Sequence, residues 1–272
     1  IPAGIATAGQ MIRYYILTAY TTGACSRLPF FLTPTSEEYY GTVVNDPSIN
    51  TNIPVFHWFT QNPAAADTRA GARCSLFANG EFYDNMFVRL RGDSSSGRLK
   101  KPHEFKFNSE HHFNYRPGRE RVDEINLGAM YNDQTYMRDV LAVYTFQLAG
   151  LPSADAYHIH LRQNGAFHSL ALNFEQLDGK WMRRVGLDDN GRFYKTEGNQ
   201  MWLREVTTSG YSRYDLKRPK DGDYAPLQQL VDALVTNDTA YRRRFAYDRI
   251  NLAETINYLA CNMLVQDMDL GH

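Results

Sequence analysis

The sequence predicts an α+β fold, with a sheet-rich front lobe and a helix-rich rear lobe. Segments rich in β-branched and aromatic residues, broken by Asn-Gly and Pro turns, crowd the first third of the chain. After Tyr131, apolar residues recur at three- and four-residue steps. A polar, turn-rich stretch from Thr207 to Gly222 reads as an insertion or lobe connection, so residues 1–272 are expected to form one two-lobed region with a lobe change around 196–224.

In chain order, the partial alternation in MIRYYILTAY suggests a strand near the start. The Pro-containing region from Thr33 to Asn52 reads as loops and short turns. Ile53 to Phe59 reads as a strand, with Pro54 tolerated near its beginning. Arg73–Phe77 and Phe82–Leu90 flank Asn79-Gly80, which predicts a hairpin. Phe105, Lys106 and Phe107 suggest a further strand.

In NDQTYMRDVLAVYTFQLAG, Met137, Val140, Leu141, Tyr144 and Leu148 recur at three- and four-residue steps and share one helical face, so a helix is expected there. Asn132 or Asp133 can cap it, and Gly150 suits its left-handed stop. Tyr157–Leu161 and Ser169–Phe174 read as strands paired around Asn164-Gly165. Lys180–Val185 reads as a short helix ending at Gly186, and Asp188–Gly191 as a turn feeding a strand at Arg192–Lys195. From Ala225 the pattern is helical. Leu227, Leu230, Val231, Leu234 and Val235 form one stripe, a second helix covers Thr239–Phe245, and a third runs from Leu252 to about Val265 with Ile256, Leu259, Ala260 and Met263 together.

The totals bound the function. At 272 residues, 43% hydrophobic and 22% charged, the chain can bury a substantial core and does not resemble a disordered one. A net charge of −1 gives no general attraction to nucleic acid or an acidic membrane, so any phosphate recognition must come from local clusters. Three scattered cysteines argue against a zinc site or a disulfide-rich scaffold and allow at most one disulfide with a leftover thiol. No apolar run approaches the roughly 20 residues of a membrane span.

The densest chemical signal is Arg89-Leu-Arg-Gly-Asp-Ser-Ser-Ser-Gly-Arg-Leu-Lys-Lys-Pro-His-Glu-Phe-Lys-Phe107. Small residues between strands let backbone amides approach phosphate oxygens, and nearby Lys or Arg offset their charge. An exposed basic hairpin has the same composition, and the GxxxxGK[ST] arrangement of a Walker loop is absent. Glu175 follows the apolar run Ala171-Leu-Asn-Phe174, where a carboxylate facing a cleft can hold a Lys or a metal; a solvent-facing position is the plainer alternative. Asp267 and Asp269 follow an amphipathic helix, so they are either a solvated helix end or acids held at a cleft. His111-His112, His158 with His160, and Ser94 with His103 are weaker pairs that spacing alone does not make into metal or nucleophile sites. Asn237-Asp-Thr239 is an N-glycosylation acceptor if the chain is secreted.

VRLRGDSSSGRLKKPHEFKF resembles the Arg-Gly-Asn-Ser-Ser and Lys-Lys-Ser segment of the spore-coat-protein-H (CotH) kinase family. LNFEQLDGKWMRRVGLDDNGRFYK is similar to that family's Glu-containing strand, helix and Leu-Tyr-Lys element, and INYLACNMLVQDMD to its helix leading into the catalytic Asp. The resemblance implies an atypical protein-kinase-like fold and transfer of phosphate from ATP to protein Ser hydroxyls with Mg2+, or with Mn2+ or Ca2+. On it, Asp269 becomes the catalytic residue and a metal ligand. Glu175 organises metal or nucleotide, while Arg91 and Lys101, with Lys106 and Lys195 as competitors, contact nucleotide phosphate.

The resemblance further implies a secreted or cell-surface protein. The Asn that follows the catalytic-loop Asp in kinases would fall past His272, so the chain is expected to stop inside the catalytic region. Asp93 stands where the family commonly has Asn. Two other classes therefore stand beside the enzyme: a catalytically inactive surface-binding or adhesin-like protein on the same frame, and a carbohydrate hydrolase using Glu175 and Asp269.

Overall fold

The computed structural model describes residues 2, 4–23, 25–29, 37–92, 94–196 and 214–266. The chain divides into two compact units, Ile1–Tyr136 with Asp155–Gln176, and Met137–Ala154 with Leu177–His272. The fold is mixed α+β, with a multi-strand sheet and several helices.

The first unit is organised by a closed barrel of seven strands: β5 (Val55–Phe59), β6 (Ala72–Ala78), β7 (Glu81–Leu90), β8 (His103–Lys106), β9 (Glu124–Gly128), β10 (Ala156–Gln163) and β11 (Ala166–Phe174). Around the barrel they run β10-β11-β9-β8-β7-β6-β5, and a parallel pairing of β5 with β10, His57 opposite Arg162, closes the ring. Every other neighbouring pair is antiparallel. Closure removes the open edges that an isolated sheet would expose.

Period-two alternation fills the interior. Met86, Val88 and Leu90 of β7 point inward, together with Trp58, Leu76, Phe105, Ile125, Leu127, Ile159 and Leu161. Trp58 meets Phe105 edge-on at 5.4 Å between ring centroids, and Phe107 stacks on Phe113 at 4.9 Å. The expected hairpins are present. Asn79 and Gly80 take φ of 53° and 80°, and Asn164 and Gly165 take 50° and 85°, so both pairs adopt the left-handed conformations that a two-residue hairpin demands.

Outside the barrel, β1 (Met11–Tyr14) pairs with β4 (Tyr40–Val43), and β2 (Ile16–Ala19) pairs with β3 (Cys25–Leu28). The single expected strand at the start is thus two. β4 lies inside the region read as loops, because its partner is distant in sequence and its local pattern is weak. Arg13 reaches Asp84 of β7 at 2.7 Å, and the same buried carboxylate accepts from Ser75 Oγ at 2.5 Å and the Tyr39 amide at 2.8 Å. A short helix, α1 (Pro63–Ala66), is capped by the Asn62 side chain.

The second unit holds α2 (Arg138–Leu148), α3 (Gly179–Arg184), a hairpin of β12 (Phe193–Thr196) with β13 (Tyr214–Arg218), and helices α4 (Ala225–Val235), α5 (Thr239–Arg249) and α6 (Leu252–Val265). β13 falls within the stretch from Thr207 to Gly222 read as an insertion; of that stretch, residues 207–213 lie outside the described residues. Asp178, Asp238 and Asn251 cap α3, α5 and α6 with their side chains.

α2 begins later than expected. Met137 takes the cap position, and Asp133 instead accepts from the Thr135 amide and hydroxyl in the preceding turn. The apolar stripe of α2 lies largely outside: Leu141 is 53% exposed, Tyr144 55% and Leu148 71%. α2 meets α6 through Phe146, whose ring lies 5.9 Å from that of Tyr258. The stripe of α6 is also outward, since Cys261 and Asn262 are its buried residues. In α4, Leu227 and Val231 are buried against Tyr214, while Leu234 and Val235 are exposed. Among the described residues, no helix is long and apolar enough to cross a membrane.

Candidate functional site

The basic segment connects β7 to β8. Arg91, half-buried just past β7, donates its amide to Pro102 O at 3.1 Å and so pins the two ends of the connection together. Gly92 takes φ of 76°, and a Cβ there would stand 2.2 Å from Ser95 Oγ; the backbone turn therefore requires glycine. Arg69 donates to Gly92 O, and Ser94–Gly97 forms a single 3-10 turn. Burial pushes the Arg91 guanidinium below its ordinary pKa, against the pull of Glu104 and Glu124.

Beyond Arg91, the outward face of β7, β8 and β9 carries a row of alternating charges. Arg89 donates to both oxygens of Glu104, at 2.9 and 3.2 Å. Lys106 lies 3.0 Å from Glu104 and 3.7 Å from Glu124. Burial raises the Glu104 pKa, but its bonds to Lys106 and Arg89 outweigh that, and the net direction is down. Lys106 is therefore neutralised in place by two carboxylates.

Lys101 sits differently. Together with Lys100, Asp67, Tyr131, Tyr136, Phe167, His168 and Ser169 it lines a cavity of about 540 Å³ that Arg91 does not line. Lys100 donates to Leu170 O, and its ammonium lies 4.5 Å from the Tyr136 ring centroid. Asp67 bonds His103 Nε2 at 2.8 Å, and burial holds the His103 pKa below its ordinary value despite that carboxylate. The two ends of one loop thus carry cations with different neighbours.

Glu175 stands just past β11. Its amide donates to Asp155 O at 2.9 Å, and its Oε2 accepts from the Asp155 amide at 2.8 Å, tying the ends of β10 and β11. Asp155 in turn pairs with Arg116 at 2.6 Å and Arg119 at 2.9 Å. Gln176, the next residue, bonds Asn126 of β9 at 2.5 Å. Lys195 is exposed on β12. Asp267 and Asp269 lie outside the described residues.

Among the described residues, no group of three His, Cys, Asp or Glu side chains is placed to hold a metal ion. His111 packs against Tyr83, with centroids 4.6 Å apart, and His158 Nε2 lies 2.6 Å from Tyr136 O. Sequence reasoning missed Asp67, Lys100 and His168 as neighbours of Lys101. Asp67 and His168 come from separate segments that no local spacing joins to Lys101, and the adjacency of Lys100 does not by itself reveal a shared cavity.

The model of the CotH kinase protein family matches residues 88–272. The chain is also 25% identical over 173 residues to the inner spore coat protein H of Bacillus subtilis (strain 168), covering 61% of this chain and 48% of that protein. It therefore spans about half the length of that curated relative.

Proposed function

This chain belongs to the CotH kinase protein family, and from that premise we propose that it is an ATP- and divalent-metal-dependent phosphotransferase acting on Ser hydroxyls of a protein. The observation that carries the reading is the family match over residues 88–272, which takes in the basic loop, the Glu175 strand end and the approach to Asp269.

The donor set of the loop fits a phosphate chain: a glycine-enforced turn, Ser hydroxyls and a half-buried guanidinium. Arg91 would neutralise nucleotide phosphate there. Lys101 lines a cavity that Arg91 does not, so on this reading Arg91 would make that contact without it. Lys106 would act through the Glu104 and Glu124 pairs that fix it, and Lys195 would be a peripheral cation. Glu175 would keep the strand ends in place through the Asp155 amide and, on the family reading, help organise the metal or nucleotide. Asp269 would help hold Mg2+, which would supply positive charge against the transferring phosphoryl group.

Asp269 would accept the proton of the acceptor Ser hydroxyl as its oxygen forms the new bond to phosphorus and ADP leaves. Fixed charge and positioning would supply most of the barrier lowering. The similarity to an inner spore coat protein supports a surface-associated setting.

Magnesium-dependent ATP binding and transfer of labelled phosphate to a Ser-containing protein, measured on the complete protein, tests the reading. Asp269→Asn should lower transfer by about a hundredfold or more while leaving ATP affinity within a fewfold. Partner binding that persists without ATP binding or transfer would replace the enzyme with the surface-binding alternative.

A further inference from the structure

Several cations of the first unit are already matched by acids. Arg89, Lys106, Arg116, Arg121 and Arg162 each have a carboxylate within ion-pair distance. Lys100 and Lys101 have none among the described residues, yet both line one cavity. Asp67, the cavity's one carboxylate among the described residues, bonds His103. Two lysines and one carboxylate thus line the concavity, whose lining carries a net positive charge, an arrangement complementary to an anion.

The position of Lys100 is fixed before any ligand arrives. Its bond to Leu170 O and its place over the Tyr136 ring use part of its donor capacity, and an ammonium has three N–H groups. Burial also disfavours the charged form of Lys100, so an arriving anion would relieve that cost. The rim is apolar and open: Leu99 is 91% exposed, Phe167 61% and Tyr131 44%. A volume near 540 Å³ exceeds what one phosphate group fills and leaves room for the chain that carries it.

We propose that this cavity recognises a phosphoserine on the polypeptide substrate, with Lys100 and Lys101 holding the phosphate and Leu99, Tyr131 and Phe167 covering the flanking residues. The choice of phosphoserine rests on the Ser-phosphotransferase reading, because that reaction creates this group. A substrate phosphorylated at one Ser would then be held for a second transfer nearby, and sites would be filled in order along the chain.

The test uses the complete protein, a fluorescent Ser-containing peptide, the same peptide with one phosphoserine, inorganic phosphate and Mg-ATP. The phosphopeptide should bind at least about tenfold tighter than its unmodified form, in keeping with one or two charge-assisted hydrogen bonds. Lys101→Met should remove most of that preference, Lys101→Arg should keep most of it, and the thermal midpoint of both should stay near that of the parent. Saturating Mg-ATP should leave the phosphopeptide bound.

Equal affinity for the two peptides would overturn the proposal. So would displacement by Mg-ATP, which would give the cavity to the nucleotide. Inorganic phosphate binding as tightly as the phosphopeptide would reduce it to a free-phosphate site. ATP affinity measured on the same samples separates the two readings. Phosphopeptide preference without ATP binding would remove the kinase reading and leave the pocket, whereas phosphate transfer without that preference would remove the pocket alone.

Discussion

The barrel and the helices of the second unit treat the same kind of pattern in opposite ways. In β7, the apolar members of the alternation go inside, with Met86 1% and Val88 0% exposed. In α2 and α6, the apolar members of the helical stripe go outside, with Leu148 71% and Met263 80% exposed. A barrel strand is hydrogen-bonded along both edges, and ring closure makes one of its faces an interior. A helix satisfies its own backbone, so periodicity says which residues share a face but not what covers it.

The largest test of this contrast is Phe105→Ala, at the centre of the barrel. It should cost about 3–5 kcal/mol through lost burial and the cavity left behind, read from the denaturant midpoint. If it costs less than 1 kcal/mol, the barrel interior is not the packed core described for it.

A smaller effect belongs to Glu81 at the start of β7, which takes two bonds from Arg121 at 2.8 Å and one from Tyr83 at 2.9 Å. Those bonds, led by Arg121, hold its pKa down to about 2. The folded pKa lies below the unfolded one, so the stabilisation is complete above about pH 4.5 and disappears as the pH falls towards 2. Glu81→Gln should cost about 1 kcal/mol at neutral pH, after allowance for solvent screening, and nothing near pH 2. Denaturant melts at the two pH values check it, and a pH-independent loss would assign the effect to packing.

The smallest effect should come from Met263→Ser on the outward stripe of α6, within about 0.5 kcal/mol of the parent. A loss of 2 kcal/mol or more in the complete protein would show that another surface covers that stripe there.

Legibility in the sequence followed the range of the interactions. The two Asn-Gly hairpins, the strands flanking them and the helix starts near Lys180, Thr239 and Leu252 were readable, because each depends on a few consecutive residues. β4 and β13 were not: the first lay in a stretch read as loops and short turns, the second in one read as an insertion or lobe connection, and each exists through a partner remote in the chain. The late start of α2 arose because Asp133 bonds its own turn instead of the helix. In the site, the basic loop was legible as a cluster. The different surroundings of Lys101 and Lys106 were not: Glu104 and Glu124 meet Lys106 across β8 and β9, and Asp67 and His168 reach the cavity from other segments.

The sequence by itself determined the family, the α+β class, the hairpin turns and the existence of a basic loop between two strands, because these rest on residue type and short spacing. Only the tertiary structure decided that seven strands close into a ring, that Lys106 is neutralised by two acids, and that Lys100 and Lys101 share a cavity with no ion-pair partner among the described residues. Charge and burial depend on which distant residues arrive within a few ångströms, and no pattern along the chain encodes that distance.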